Sequence, residues 1–113
     1  METISIKSSD GIQFYNTSNI MRVQAVSNYC KIYFVDNSKP LLVSKCLIWV
    51  EAQLPLGKFW RIHRTHLVNS VHVNKMNSYK KPYLLLSSGE KITVSRRKKL
   101  IINKAVKTSH RVK

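Results

Sequence analysis

The sequence predicts a single mainly β domain with two helices, and three observations lead there. Short runs rich in β-branched and aromatic residues, such as "ISIK", "IQFYNT", "IMRVQAV" and "YCKIYFV", have the length and composition of strands. Turn-forming residues punctuate those runs at Asp10-Gly11, Ser27-Asn28, Asp36-Asn37-Ser38 and Ser88-Gly89. The apolar period then lengthens twice, in "SKCLIWVEAQL" and in "SRRKKLIINKAV", which marks helices. With 113 residues, 43% of them hydrophobic, the chain has room for one core, so residues 1–113 are read as one domain.

Each element has a local reason. Asp10-Gly11 is expected to turn the first hairpin, because both residues tolerate positive φ. "IMRVQAV" and "YCKIYFV" pair around Ser27 and Asn28, and "LLV" follows Pro40 as a further short strand. In "SKCLIWVEAQL", Leu47, Val50 and Leu54 fall on one helical face, with Ser44 as the expected cap and Pro55 and Gly57 as the stop. That predicts an amphipathic helix of about three turns. "VHVNKMNSY", "YLLLS" and "KITVS" read as strands, the last two joined at Ser88-Gly89.

The second helix starts at Ser95 as N-cap and offers Leu100, Ile101, Ala105 and Val106 for burial. Its first turn is basic, which opposes the helix dipole and implies that an anion arrives from outside. The tail "KTSHRVK", residues 107–113, is expected to fray. Ile32, Phe34, Phe59, Leu67, Val68, Leu85, Ile92 and Val94 are the expected core, with Trp49 joining it from the first helix. Trp60 is placed at the surface, as a protein contact.

Charge narrows the function. Twenty Lys and Arg against five Asp and Glu give a formal charge of +15, a self-repelling balance that makes sense with a polyanionic partner. Residues 1–74 carry 8 basic and 4 acidic residues, whereas residues 75–113 carry 12 and 1. No apolar run approaches the length of a membrane span, and "METISIKSSD" lacks the apolar stretch of a signal peptide, so the chain reads as cytoplasmic. Cys30 and Cys46 have no CxxC spacing and are expected as buried, reduced thiols.

Catalysis and metal binding find little to work with. His63 and His66 are spaced to share one side of a helix, but only Glu51 or Asp36 stands in reserve as a third ligand, so no metal and no other cofactor is expected. The five carboxylates include no close pair, and the glycines at 11, 57 and 89 are too scattered for a phosphate-binding loop. An enzyme is therefore not expected. Arg61, Arg64, Arg96, Arg97, Lys98 and Lys99 are suited instead to neutralising phosphates, and "SRRKK" sits where a helix N-terminus adds free N–H groups. The competing reading is a solvated basic face.

Three motifs in order carry a family resemblance: "VQAVSNYCKIYF"; "FWRIHRTHLVN", which matches a Phe-x-Arg-x-His-Arg-Ser-x-x-Val-Asn signature with Thr65 at the serine; and "LLLSSGEKITVSRRKK", with its Val-Ser-Arg-Arg ending. Over residues 20–106 the chain resembles the LytTR DNA-binding domain of bacterial transcription regulators. The resemblance implies an elongated stack of small antiparallel β-sheets with one or two short helices, gripping the major groove of double-stranded DNA through loops. It also implies paired direct repeats as the target, with a partner protein or a second copy met on DNA. Relatives carry the domain behind a receiver domain, whereas only residues 1–19 precede the match here, so control by phosphorylation within this chain is not expected.

Carried over by position, Asn28, Tyr29, Arg64 and Arg97 are the implied base contacts. Arg64 and Arg97 suit guanine through the guanidinium fork, with phosphate pairing as the alternative. Asn28 suits adenine but equally suits a turn, and Tyr29 either reaches a phosphate or packs beneath the loop. Lys31, Arg61, His66, Arg96, Lys98 and Lys99 are assigned to the DNA backbone. His63 is as well explained by holding its loop as by touching DNA, and Asn69 is read as structural. A second function class remains: a nonspecific RNA or anionic-surface binder, stacking bases on Tyr15, Tyr29, Tyr33, Tyr79 and Tyr83.

Overall fold

The computed structural model describes residues 2–109 and opens on a hairpin of β1 (Thr3–Ser8) and β2 (Gly11–Asn16). Ser8 faces Gly11 in register, so the two-residue turn is Ser9-Asp10 rather than the expected Asp10-Gly11. Gly11 begins the second strand at φ +126°, a conformation that the missing Cβ permits, and this moves the turn one residue back.

A five-stranded antiparallel sheet follows. Its strands are β3 (Ile20–Val26), β4 (Tyr29–Phe34), β5 (Leu41–Val43), β6 (Phe59–His63) and β7 (His66–Asn69), in the order β5-β4-β3-β7-β6. A third sheet, β10-β9-β8, is formed by β8 (Val73–Asn77), β9 (Tyr83–Leu86) and β10 (Lys91–Thr93). Helix α1 (Leu47–Gln53) connects β5 to β6, and α2 (Lys99–Ser109) closes the described chain. The extents of 47 × 30 × 24 Å make the stack elongated, as expected.

The central sheet separates two cores. Val23, Ile32 and Leu67, neighbours in register, point with Cys30, Phe34 and Val43 toward Leu47, Val50 and Leu54 of α1 and toward Ile4 and Ile6 of β1. Trp60, Ile62 and Val68 belong to the second core, with Val73, Leu84, Leu86, Ile92, Val94 and Ile102. Each such side chain removed from water contributes about 1.5–3 kcal/mol, so the stack is fastened at both faces of its middle layer.

Arg22 lies on the same face as Val68 and is only 7% exposed. Its Nη2 donates to Oε2 of Glu90 at 2.9 Å, its Nη1 donates to Oε1 of Gln24 at 3.1 Å, and its guanidinium carbon lies 3.8 Å above the Tyr33 ring. This ion pair ties the β9–β10 turn to the central sheet. It also holds the Glu90 carboxyl below its ordinary range, chiefly through the hydrogen bond from Arg22.

Several expectations need correction. Helix α1 has seven residues, about two turns at 3.6 residues each. Cys46, not Ser44, is its N-cap, because pairing of β5 through Val43 leaves 44–46 to cross from sheet to helix. The stop is as expected: Leu54, before Pro55, is extended at ψ 158°. Trp60 is buried, since alternation along β6 turns it with Ile62 into the second core.

Cys46 is exposed, while Cys30 is buried with its thiol pKa raised by desolvation; both are free. Phe59 and Leu85 are half-buried, and Leu100 and Ile101 are exposed, because α2 turns Ile102, Ala105 and Val106 inward instead. Lys107 to Ser109 continue α2 rather than fraying, and the rest of the expected tail lies outside the described residues.

Candidate nucleic-acid interface

Strand order brings the resemblance-derived residues to one end of the central sheet. Val26 faces Tyr29 across the Ser27-Asn28 turn, and His63 faces His66 across the Arg64-Thr65 turn. Because β3 lies between β4 and β7, these two turns emerge from the same end, and the Ala25 N–H donates to the Thr65 carbonyl at 2.8 Å between them. Ser27 takes φ +57°, which leaves Asn28 exposed at the tip and Tyr29 half-buried beside it.

The third segment arrives along the outer edge of β6. The Ser95 N–H donates to the Ile62 carbonyl at 2.9 Å, which sets residues 95–98 beside the Arg64 turn. The Ser95 hydroxyl accepts from the Lys98 N–H at 3.3 Å and so closes the turn leading into α2, which begins at Lys99 rather than directly after Ser95 as expected. A groove of about 630 Å³ results, lined by Arg61, Arg64, Arg97 and Lys98 together with Glu51, His63, Ser95 and Ile101. A second groove, of about 340 Å³, shares His63 and Ser95 and adds Lys81, Lys91 and Arg96.

Within the groove the side chains divide by what holds them. Arg64 is exposed and has no ion pair among the described residues, as is the case for Arg97. Arg61 is engaged by the protein itself: Nε donates to the His63 carbonyl at 2.9 Å, Nη2 to the Arg64 carbonyl at 2.8 Å, and Nη1 to Oε1 of Glu51 at 3.0 Å. Its guanidinium thus braces the turn that presents Arg64. The Thr65 N–H donates to Nδ1 of His63 at 3.2 Å, so His63 holds its own loop with the neutral ring proton on Nε2.

His66 sits deeper than its assignment to the DNA backbone implied. Its Nδ1 is buried without a hydrogen-bond partner, and its ring centroid is 5.5 Å from that of His63. Desolvation, then the neighbouring His63 and Arg22, lower its pKa from 6.5 to about 4, so at neutral pH it brings no charge to a phosphate. Since the unfolded chain protonates this group near 6.5 and the folded chain only near 4, it leaves stability unchanged above pH 6.5 and lowers it as pH falls from 6.5 toward 4. His66→Gln is expected to flatten that decline, measured as urea midpoints at several pH values across the window.

Lys31 shares a cross-strand row with Gln24 and His66, half-exposed on the sheet face away from α1. Arg96 is exposed and Lys99 is half-exposed at the start of α2. The histidine pair faces across a hairpin rather than along a helix, and among the described residues no three His, Cys, Asp or Glu side chains gather as a metal site. Sequence reasoning missed Arg22, Lys81, Lys91 and Ile101. A lone arginine in the apolar run "IMRVQAV" was the available sign for the first.

A family model described as the LytTr DNA-binding domain matches residues 10–107, ten residues further toward the N-terminus than the resemblance over 20–106. Among solved structures, a LytTr DNA-binding domain from Bacillus cereus superposes with a TM-score of 0.77 at 21% identity, covering 94% of this chain and 97% of that one. No match is found among curated proteins. No helix among the described residues is long and apolar enough to cross a membrane. The matched span takes in all three motifs and every residue of the groove, and the chain belongs to the LytTR family, the DNA-binding domains of transcriptional regulators.

Proposed function

We propose that this domain regulates transcription by binding double-stranded DNA sequence-specifically, entering the major groove with its loops. The observation that carries this reading is the convergence of Arg64, Arg97 and Lys98 on one groove beside the Asn28 turn. Arg64 and Arg97 carry planar forks that match guanine O6 and N7, and Asn28 carries an amide that matches adenine. Tyr29 reaches a phosphate with its hydroxyl. Lys31, Arg96, Lys98 and Lys99 pair with the DNA backbone, while Arg61 and His66 act from beneath the contact surface. Two copies side by side on direct repeats complete the arrangement.

Selection of bound duplexes from a random library at physiological salt tests this. Wild type is expected to recover a motif, and Arg64→Ala to blur one position of it by about 1–3 kcal/mol. Lys98→Ala is expected to weaken all duplexes alike and to reduce the salt slope by about one. Equal recovery of every sequence by wild type would sink the reading. Tighter binding to single-stranded RNA at matched salt would favour the nonspecific module instead; against that, Tyr15, Tyr29, Tyr33 and Tyr83 all lie in strands and are half-buried, leaving Tyr79 as the exposed ring.

A further inference from the structure

Ile101 stands in the first turn of α2. It is 64% exposed, and its chain neighbour Ile102, 3% exposed, is the residue that α2 commits to the core. A scattered surface isoleucine needs no explanation, but this one lines the Arg64 and Arg97 groove, where every other lining residue is charged or polar. Such a wall attracts phosphate, and an isoleucine contributes nothing to that.

The apolar group that duplex DNA presents in its major groove is the C5-methyl of thymine. Resting on the reading of this groove as a DNA-reading site, we infer that Ile101 is a specificity residue that recognises a thymine methyl. Arg97 and Ile101 stand four residues apart. The Lys98 N–H donates to the Ser95 carbonyl and the Ile102 N–H to the Lys98 carbonyl, so the turn runs on into the helix and brings the two side chains to adjacent turns. Arg97 stands two residues before α2 and Ile101 in its first turn, both on the wall of one groove, and base pairs are about 3.4 Å apart along the axis. The thymine therefore lies within about two base pairs of the base that Arg97 reads.

The test uses the duplex recovered by the library selection, with each thymidine replaced in turn by deoxyuridine, which removes only the methyl. Wild type is expected to lose about fourfold in affinity at one such position, the effect of withdrawing one buried methyl. Ile101→Ala is expected to bind the two duplexes equally, and Arg97→Ala to blur a position within about two base pairs of it. Uracil tolerated everywhere by wild type would overturn the inference, as would an Ile101→Ala protein that keeps the wild-type preference for thymine. The uracil arm needs no variant and so does not depend on how a variant folds. A motif recovered with uracil neutral throughout refutes this inference alone; no motif at all refutes specific readout and this inference with it.

Discussion

Arg61→Lys is expected to weaken binding to the selected duplex about tenfold, as strongly as Arg61→Met, with a stability loss of only about 1 kcal/mol. The two losses separate because of where the arginine's donors go. Nε and Nη2 hold the carbonyls of His63 and Arg64 at 2.9 and 2.8 Å, and Glu51 anchors the remaining end at 3.0 Å. The planar fork spans both carbonyls at once, and an ammonium at the end of a flexible stem does not reproduce that geometry. Partly exposed turn carbonyls regain water when the arginine goes, so the fold loses little. The turn loses its fixed shape, and Arg64 must then be ordered on binding, a cost that the native turn has met in advance.

The same logic fixes the control. If Arg61 braces Arg64, the two substitutions share one pathway, and the double variant Arg61→Met/Arg64→Ala is weaker than Arg64→Ala by far less than tenfold. If Arg61 were instead a phosphate cation, Arg61→Lys would bind nearly as wild type and the double variant would lose the two effects in full. Fluorescence anisotropy on one duplex at two salt concentrations distinguishes the outcomes.

The sequence made the strands and the three loop segments legible because each rests on local chemistry. Alternating apolar residues in "YCKIYFV" and the Ser27-Asn28 pair specify a hairpin without help from distant parts of the chain. What was misread depended on partners far away. Asp10-Gly11 gives the right hairpin with the turn displaced by one residue, since register is decided by which face of β1 reaches Ile32 and Leu47 in the first core. Trp60 looks like a surface aromatic among charges until β8 and β9 cover its side of the sheet.

Arg61 and His66 read as cations for DNA by type and spacing. The fold-back of β6 onto β7 turns one guanidinium onto the chain's own carbonyls and buries one imidazole nitrogen. A basic motif therefore points to the cationic groove more directly than to the internal contacts of each member. Arg64 and Arg97, whose side chains form no ion pair among the described residues, are the proposed base contacts.

Asn69→Ala is expected to cost about 3 kcal/mol of stability and to leave DNA affinity unchanged wherever the variant is folded. The side chain is 3% exposed, and its Nδ2 donates to the carbonyls of Thr17 at 3.3 Å and Ile20 at 2.9 Å, 52 and 49 residues earlier in the chain. Its Oδ1 accepts from the Val71 N–H at 3.3 Å, capping the 3-10 turn that follows β7. Alanine removes a donor from the Ile20 carbonyl and from the Thr17 carbonyl, the latter keeping the Ile20 N–H, and removes the acceptor of the Val71 N–H. Asn69→Asp keeps the acceptor but loses the donor and buries a charge, so it is expected to be at least as costly. Both should lower the urea midpoint with little change in its slope. Position explains the silence toward DNA: Asn69 ends β7 and Ile20 begins β3, at the end of the sheet opposite the Asn28 and Arg64 turns. Loss of affinity without loss of stability in Asn69→Ala would mean that the two ends of the sheet are coupled, and that the interface is not confined to the turns.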